Sequence, residues 1–334
     1  MRNLLSTATV ATIGLTCKAF LNLGLCELTV NNHHILLDAL KDEEKRKEGT
    51  GIVTVSNHIS TLDDPVTWGI MPTQTYLSPR LTRWSLGAHD IMFTNPVFST
   101  FFRNGQVLET FRGRGVYQPS VDTAISKLSQ GDWVHLFGEG RVCQPKTYIV
   151  ENGRAKLRRF KWGIGRIIME TPRPPMIIPM WITGFDKLMP EGRPAPFNFI
   201  PRIPPFAAPV PISITFGTPI NPEDITNALR GPHSPATMFL SQSQAQSQRQ
   251  SQPQHSPTAA SSDIDGGPSY SQSWVVSQVQ ADSLSLDLGG EEERRRGVIR
   301  KRVTEVVQDA VERLGREVSG ELLGREMERG GGGR

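Results

Sequence analysis

The chain has 334 residues, of which 37% are hydrophobic and 21% are charged, so it is long enough to bury a substantial core. Lys and Arg outnumber Asp and Glu by 37 to 33, which gives a formal net charge of +4 and a sequence pI near 9.0. This small and dispersed excess suits an anionic membrane surface and argues against nucleic acid as a partner. The three cysteines lack the spacing of a metal site, and their odd number does not predict a disulfide framework.

Residues 1–30 form a mostly apolar segment, in which Lys18 and Glu27 are the only charged residues after position 4. Several Ser, Thr and Asn residues interrupt the run, which favours a membrane-associating helix that lies in one leaflet over one that spans the bilayer. Spanning stays open as the alternative. The segment has neither the layout of a secretory signal nor the Arg content of a transit peptide, so by itself it does not predict a subcellular location.

Residues 31–232 predict one α/β domain, with a mixed twisted sheet flanked by helices. Amphipathic or charged stretches predict helices over 31–48 and 118–130, and four phenylalanines between 93 and 102 predict an apolar face. Short apolar, β-branched runs predict strands over 51–55, 106–111, 133–137, 176–183 and 212–216. Pro179 lacks an amide donor, so it predicts that the fourth of these strands lies at an edge or contains a bulge.

Residues 233–292 are rich in Ser, Gln and Pro and poor in large apolar residues. Such a segment cannot offset its ordering entropy by burial, so we expect a disordered insertion. Residues 293–328 regain helical periodicity, with an apolar stripe from Ile299 to Val318. This amphipathic C-terminal helix is expected to complete the domain.

The stretch from Val53 to Pro65 carries the first candidate catalytic residues. A buried strand runs into Ser60, Asp63 and Pro65, which are residue types that open a helix, so His58 falls on the bend between strand and helix. Across such a bend the Asp63 carboxylate can reach the His58 imidazole, fix its tautomer and leave the other ring nitrogen as a base. The alternative is a plain helix cap.

Two further loops follow predicted strands and combine charge with glycine. The first is Arg112-Gly-Arg-Gly, and the second is Gly138-Glu139-Gly140-Arg141. Arg presents paired donors and Gly lets backbone amides approach, so both loops are candidate phosphate sites, with ordinary surface turns as the alternative. Residues 154–166 interleave cations with Phe and Trp, a pattern that suits lipid headgroups.

These stretches resemble the motifs of the glycerolipid acyltransferase superfamily. The four motifs correspond to Asn57-His58-x4-Asp63, Gly105 to Arg112, Phe137 to Arg141, and Ile178-Pro179. The sequences of residues 56–69, 131–135 and 159–166 are similar to those of the cardiolipin-remodelling transacylases within that superfamily. The resemblance covers about residues 20–230 and the C-terminal helix. Gly138 departs from the family, where Pro is usual, and Arg141 stands where Lys is common.

The resemblance implies CoA-independent transfer of an acyl chain from a phospholipid such as phosphatidylcholine to a lysophospholipid such as monolysocardiolipin, without a cofactor or metal. It implies that His58 and Asp63 are catalytic, and that Arg112, Glu139, Gly140 and Arg141 bind substrate. It also implies a cardiolipin-rich mitochondrial membrane, inner or outer, facing the intermembrane space. Homo-oligomerisation stays open.

Three other functions stay open on the sequence. An acyl-CoA-dependent lysophosphatidic acid acyltransferase would use the same His and Asp, a phospholipase would replace the lysolipid by water, and a non-catalytic protein would only bind anionic lipid. No Gly-x-Ser-x-Gly surrounds a nucleophilic serine, which favours direct transfer over a covalent acyl-enzyme.

Overall fold

The computed structural model describes residues 4–193, 201, 209–230 and 273–325. The chain groups into two compact units, one formed by residues up to Leu229 together with those from Arg300 onward, and the other by Arg230 to Ile299. All the candidate site residues lie in the first unit. The predicted disordered tract lies outside the described residues as far as residue 272.

A seven-stranded sheet forms the centre of the first unit. Its strands are β1 Cys26–Asn31, β2 Ile52–Ser56, β3 Trp84–Ala88, β4 Val107–Thr110, β5 Trp133–Phe137, β8 Met176–Thr183 and β9 Val210–Phe216. A separate antiparallel hairpin consists of β6 Ile149–Glu151 and β7 Arg154–Lys156. The spatial order of the sheet is β1-β9-β8-β2-β5-β3-β4, and its neighbours pair in parallel except β8 and β9. The mixed α/β fold predicted from the sequence is confirmed.

Helices cover the sheet and connect its strands. They are α1 Leu4–Asn22, α2 His33–Lys41, α3 Glu43–Lys47, α4 Asp63–Val66, α5 His89–Met92, α6 Pro96–Asn104, α7 Pro119–Ser129, α8 Gly163–Glu170, α9 Phe185–Leu188, α10 Pro222–Arg230 and α11 Ser273–Ser319. Short 3-10 helices occupy 67–70, 73–77, 79–81 and 145–147. Because helices cover both faces of its centre, β2 is buried along its whole length, which explains why its sequence is a continuous apolar run rather than an alternating one.

Helix α1 packs one face against the domain and leaves the other exposed. Its buried stripe consists of Val10, Gly14, Cys17 and Leu21, and Gly14 lies against the ring of Tyr76. In the described part of the chain, α1 is the one helix that is long and apolar enough to cross a membrane, at roughly 28 Å for 1.5 Å per residue. One-sided packing on the domain suits a helix that lies in a leaflet; whether α1 spans stays a prediction.

The parallel run β2-β5-β3-β4 determines where the candidate residues meet. Parallel strands bring their carboxyl ends to one edge of the sheet, and in α/β folds this edge is where ligands bind. His58 follows β2, Glu139 follows β5, His89 follows β3 and Arg112 follows β4. We call this side the carboxyl edge.

The structure differs from the sequence predictions at three places. Residues 26–31 form a strand and do not continue the apolar helix, because α1 ends at Asn22 and Gly24 takes a φ of +74°. Strand β8 lies inside the sheet and not at its edge. Pro179 is tolerated there because β9 pairs only with 180–183, so its missing amide faces the turn at Gly217. Finally, α11 begins at Ser273, earlier than the predicted boundary at residue 293.

Candidate active site

The bend after β2 is fixed by side-chain hydrogen bonds to backbone. The Asn57 amide donates to the Ile182 carbonyl and accepts from the Ile182 N–H, both at 2.9 Å, so it pairs with β8 as an extra rung. Ser60 then caps the next turn, with its Oγ accepting from the Leu62 N–H at 3.1 Å. His58 lies between these two anchors, where its ring faces outward.

His58 and Asp63 form the hydrogen-bonded pair that the sequence predicts. Nδ1 of His58 lies 2.8 Å from Oδ2 of Asp63, and the same oxygen accepts from the N–H groups of Ile59 at 2.6 Å and Ser60 at 2.8 Å. Asp63 is fully buried, whereas the His58 side chain is 18% exposed. A carboxylate can only accept, so Nδ1 carries the proton and Nε2 is left as the basic nitrogen.

Burial and hydrogen bonding act in opposite directions on Asp63. Burial raises its pKa above the ordinary value, and the hydrogen bonds from His58, Ser60 and Ile59 counter this by stabilising the carboxylate. Such a buried, multiply bonded acid holds the imidazole in one orientation and stabilises the imidazolium that forms when Nε2 takes a proton. The pair is therefore equipped to act as a general base.

Phe137, the last residue of β5, fixes the plane of the His58 ring. The two rings stack with centroids 4.1 Å apart and an angle of 22° between planes. Behind Phe137 lies His135, which meets it edge-on at 4.5 Å and is bonded to the hydroxyl of Thr54 at 2.8 Å. Burial lowers the pKa of His135 to about 3, so this second histidine is neutral and structural.

The side chain of Glu139, in the loop after β5, is buried and contacts the backbone of His58. Its Oε2 accepts the His58 N–H at 2.9 Å, and the Cys143 N–H donates to the His58 carbonyl at 2.6 Å, so the loop holds both backbone groups of His58. Glu139 is fully buried, and burial raises its pKa to about 8. The predicted substrate-binding residue Glu139 therefore contacts the backbone of the candidate base His58.

Gly140 and Arg141 form the exposed end of the same loop. Gly140 adopts a φ of +67°, a conformation that favours glycine, and its N–H donates to the Phe137 carbonyl at 3.1 Å to close the turn. Both residues are exposed at the carboxyl edge. The stem of Lys161 runs across Gly140, with Cγ 2.8 Å from where a β-carbon would stand, and the Lys161 N–H donates to the Gly138 carbonyl at 2.9 Å. The sequence analysis did not single out Lys161.

Arg112 lies on the same edge but farther from His58. Two strands separate β4 from β2, so the spacing between neighbouring strands puts it about 14 Å away. It is exposed and lies 3.4 Å from Asp90. The structure therefore brings His58, Asp63 and Glu139 into direct contact, with Gly140 and Arg141 on the adjoining turn, and leaves Arg112 along the edge.

Asp64 anchors the opposite side of the catalytic bend, a role that the sequence analysis missed. Its Oδ1 accepts from Arg83 and from Trp68 Nε1, and its Oδ2 accepts from Ser85 at 3.0 Å. Burial alone would raise the pKa of Asp64, but the Arg83 guanidinium and these hydrogen bonds hold it below its usual value. The presence of two adjacent acids in the motif could have indicated this role: Asp63 bonds to His58, and Asp64 bonds to Ser85 of β3.

Nothing in the described part of the chain suggests a metal centre, since no three His, Cys, Asp or Glu side chains there cluster as ligands. The three cysteines are buried and free, with no disulfide among them.

Comparisons with known proteins match the region of the chain that contains the candidate site. The family model described as Acyltransferase matches residues 28–183, a range that contains every candidate site residue. Tafazzin of Drosophila melanogaster is 40% identical over 185 residues, which cover 55% of this chain and 46% of that protein. The N-acylphosphatidylethanolamine synthase of Arabidopsis thaliana is 40% identical over 170 residues, covering 51% and 56%. The tafazzin of Dictyostelium discoideum is 34% identical over 193 residues, covering 57% and 63%.

The chain thus matches about half the length of these curated relatives. The matched region contains all the candidate site residues, on a mixed α/β sheet with the hydrogen-bonded His58–Asp63 pair at its carboxyl edge. Residues 28–183 therefore match the acyltransferase family model, and the chain is similar to tafazzins and to an N-acylphosphatidylethanolamine synthase over about half of its length.

Proposed function

We propose that this protein is a phospholipid–lysophospholipid transacylase that works without CoA and remodels the acyl chains of cardiolipin. The observation that carries the proposal is the buried Asp63 carboxylate bonded to Nδ1 of a partly exposed His58 at the carboxyl edge. The similarity to tafazzins and the sequences of the motifs support a transacylase over other kinds of acyltransferase.

The His58–Asp63 geometry suits direct transfer. Nε2 of His58 takes the proton of the lysolipid hydroxyl as that oxygen attacks the ester carbonyl of the donor phospholipid. The tetrahedral intermediate then expels the glycerol oxygen of the donor, and Nε2 returns the proton to it, which yields a new phospholipid and a new lysophospholipid. General acid–base help of this kind supplies about 10²–10⁴-fold of the rate, and positioning supplies much of the rest.

The exposed loop residues suit lipid phosphates. Arg141 and Gly140 adjoin His58, and Lys161 crosses the same turn, so their cations and backbone can receive the phosphate nearest the reacting ester. Arg112 is placed to bind a second phosphate farther along the edge, as a cardiolipin acceptor would need. Glu139 contributes from beneath by holding the His58 backbone and does not have to touch lipid.

The location we propose, mitochondrial membranes facing the intermembrane space, rests on the resemblance to cardiolipin-remodelling transacylases. Helix α1 supports association with a membrane, because it is long and apolar enough to enter one and exposes Leu4, Leu5 and Leu15. Subcellular fractionation of the tagged full chain tests this; recovery outside mitochondrial fractions contradicts it.

The decisive assay incubates the purified chain with acyl-labelled phosphatidylcholine and monolysocardiolipin in vesicles without CoA. We expect labelled cardiolipin from the native chain, and a loss of about 10²-fold or more for His58→Ala with vesicle binding retained. Transfer only after acyl-CoA is added favours the CoA-dependent alternative. Free fatty acid as the main product indicates a phospholipase, and full activity of His58→Ala refutes the catalytic assignment.

One relative favours a second candidate function. The Arabidopsis thaliana protein is named as an N-acylphosphatidylethanolamine synthase, at an identity equal to that of the fly tafazzin. A histidine base can serve an amine acceptor as well as a hydroxyl, so the same assay should include phosphatidylethanolamine. A labelled product that carries an additional N-linked acyl chain would select this function, and labelled cardiolipin alone would exclude it.

A further inference from the structure

The segment after β3 exposes apolar side chains without any charge among them. Between residues 91 and 102 there is no Asp, Glu, Lys or Arg. Ile91 of α5 is 59% exposed, and in α6 the exposed fractions are 75% for Val97, 51% for Phe98 and 45% for Phe101. No residue of α6 is buried. We call Ile91, Val97, Phe98 and Phe101 the α5–α6 surface, and its composition differs from that of a helix face exposed to water.

The α5–α6 surface begins at the carboxyl edge. Helix α5 starts at His89, directly after β3, and β3 is separated from β2 only by β5. His58 and Ile91 therefore follow strands that are about 10 Å apart, at two strand spacings, on the same edge of the sheet. Whatever covers Ile91 and the start of α6 also approaches the opening of the His58 site.

The surface continues onto the free face of α1. The Ser6 hydroxyl donates to the Asn104 carbonyl at the end of α6, at 2.8 Å. Leu4 and Leu5, which flank that contact, are both exposed. Among the described residues, α1 is the helix that is long and apolar enough to enter a bilayer. The α5–α6 surface therefore adjoins a segment that is suited to lipid.

Cations border the surface on its polar side. Arg103 lies in the last turn of α6 and pairs with Glu109. Arg112 lies near Asp90, and the Arg114 guanidinium lies over the ring of Phe111. Three arginines thus meet two acids, an excess of one positive charge. In an isologous contact with a second copy these arginines would face one another, whereas phospholipid phosphates would neutralise them. The pattern of apolar centre and cationic border therefore favours a bilayer over a protein partner.

We propose that the α5–α6 surface inserts into the boundary between headgroups and acyl chains of a phospholipid membrane, beside α1, and so holds the carboxyl edge against the lipid. The proposed function gives this contact its purpose, because a membrane-embedded ester and a membrane-embedded hydroxyl must both reach His58. The contact itself requires no catalysis, so the test measures insertion of this surface into the membrane and not acyl transfer.

The test uses the full chain with Val97→Cys, labelled with an environment-sensitive fluorophore. The matched control is Ile149→Cys, because Ile149 is also exposed, at 65%, but lies on the β6–β7 hairpin. The native cysteines are buried, and the parent chain serves as the labelling blank. With vesicles of phosphatidylcholine and cardiolipin we expect a blue shift and quenching by spin-labelled acyl chains at position 97, and neither at position 149.

Two outcomes overturn the proposal. The first is a probe at position 97 that stays water-like while the full chain is bound to vesicles, which would assign membrane contact to α1 alone. The second is a blue shift at position 97 that depends on protein concentration and not on vesicles, which would assign the surface to a second copy.

A variant pair makes the test independent of the proposed function. Adding Phe98→Ser and Phe101→Ser to the Val97→Cys chain should lower quenching by about tenfold, because the surface loses two exposed rings that would otherwise insert into the lipid. The same measurement on a His58→Ala background should give the native immersion. If transfer is absent but immersion persists, the proposed function fails and this inference stands; if immersion is absent, the inference fails whatever the activity.

Discussion

Replacing Glu139 by Gln separates two roles for this carboxylate, direct substrate binding and support of His58. Burial raises the pKa of Glu139 to about 8, from a usual value of 4.5. The group is therefore mostly protonated at neutral pH in the folded state, and Gln resembles that form. A glutamine oxygen can still accept the His58 N–H, which Oε2 accepts at 2.9 Å in the native chain.

The shifted pKa makes folding stability depend on pH with a definite sign. Between pH 4.5 and about 8 the folded state holds a proton on Glu139 that the unfolded state has lost. The free energy of unfolding contributed by this group is therefore fully present below pH 4.5 and declines as pH rises to about 8. Each pH unit corresponds to about 1.36 kcal/mol, so the whole decline is on the order of 5 kcal/mol.

Denaturant unfolding across this pH range checks the prediction. Subtracting the Glu139→Gln curve from the native curve isolates the contribution of Glu139, since all other groups are common to both. We expect the native chain to lose stability relative to the variant as pH rises. Parallel curves, or a variant that becomes relatively weaker at high pH, would show that the folded carboxyl is ionised and that the argument from burial is wrong.

Activity measurements complete the separation. If Glu139 acts by holding His58, Glu139→Gln keeps transfer near the native rate at neutral pH, whereas Glu139→Ala loses the acceptor and lowers kcat more than it raises KM. If Glu139 bound the acceptor lipid directly, both variants would instead raise KM. A rise in KM for the Gln variant with unchanged kcat contradicts the supporting role.

Three further predictions test neighbouring contacts. Asp63→Asn should lower transfer by about 10²–10⁴-fold with little change in vesicle binding, because a neutral amide cannot stabilise the imidazolium of His58; native rates in the same assay would contradict this. Arg46→Ala should lower the free energy of unfolding by about 3 kcal/mol or more, since the buried guanidinium donates to three backbone carbonyls; a change in Tm within error would contradict it. Gly138→Ala should cost about 1–3 kcal/mol, because its β-carbon would overlap the Phe160 ring, and adding Phe160→Leu should recover part of that; additive losses in unfolding would refute the contact.

The sequence predicted what local patterns determine. His58 and Asp63 are five residues apart on a strand-to-helix bend, so their hydrogen bond depends on a short stretch of backbone whose residue types are all informative. The runs that became β2 and β5 are buried on both faces, and a continuous β-branched or aromatic run is typical of such strands. The acyltransferase resemblance followed from the same stretches, since the motifs are the ends of these strands.

Contacts between distant segments determine what the sequence could not predict. The place of Glu139 depends on a hydrogen bond across 81 residues, so the loop pattern alone suggested a residue that binds substrate directly. Arg46 sits in a run of charges typical of a solvated turn, yet carbonyls at 40, 80 and 131 bury it. Residues 26–31 become a strand only because β9, some 180 residues later, pairs with them. The phenylalanine pattern predicted an apolar face around 93–102, but not that α6 would leave that face exposed.

The loop that supports His58 shows how support can come from outside the matched family region. In the acyltransferase motif that this loop resembles, Pro is usual at the position of Gly138, and glycine alone would loosen the turn. Here the Phe160 ring packs directly on Gly138, and the Phe160 N–H donates to Oε1 of Gln308 on α11 at 2.9 Å. Three residues earlier, the Leu157 N–H donates to the buried Glu312 of the same helix at 3.1 Å. The C-terminal helix thus fixes the segment that holds the loop, so the order of the backbone at His58 depends on residues well beyond the acyltransferase match, which ends at residue 183.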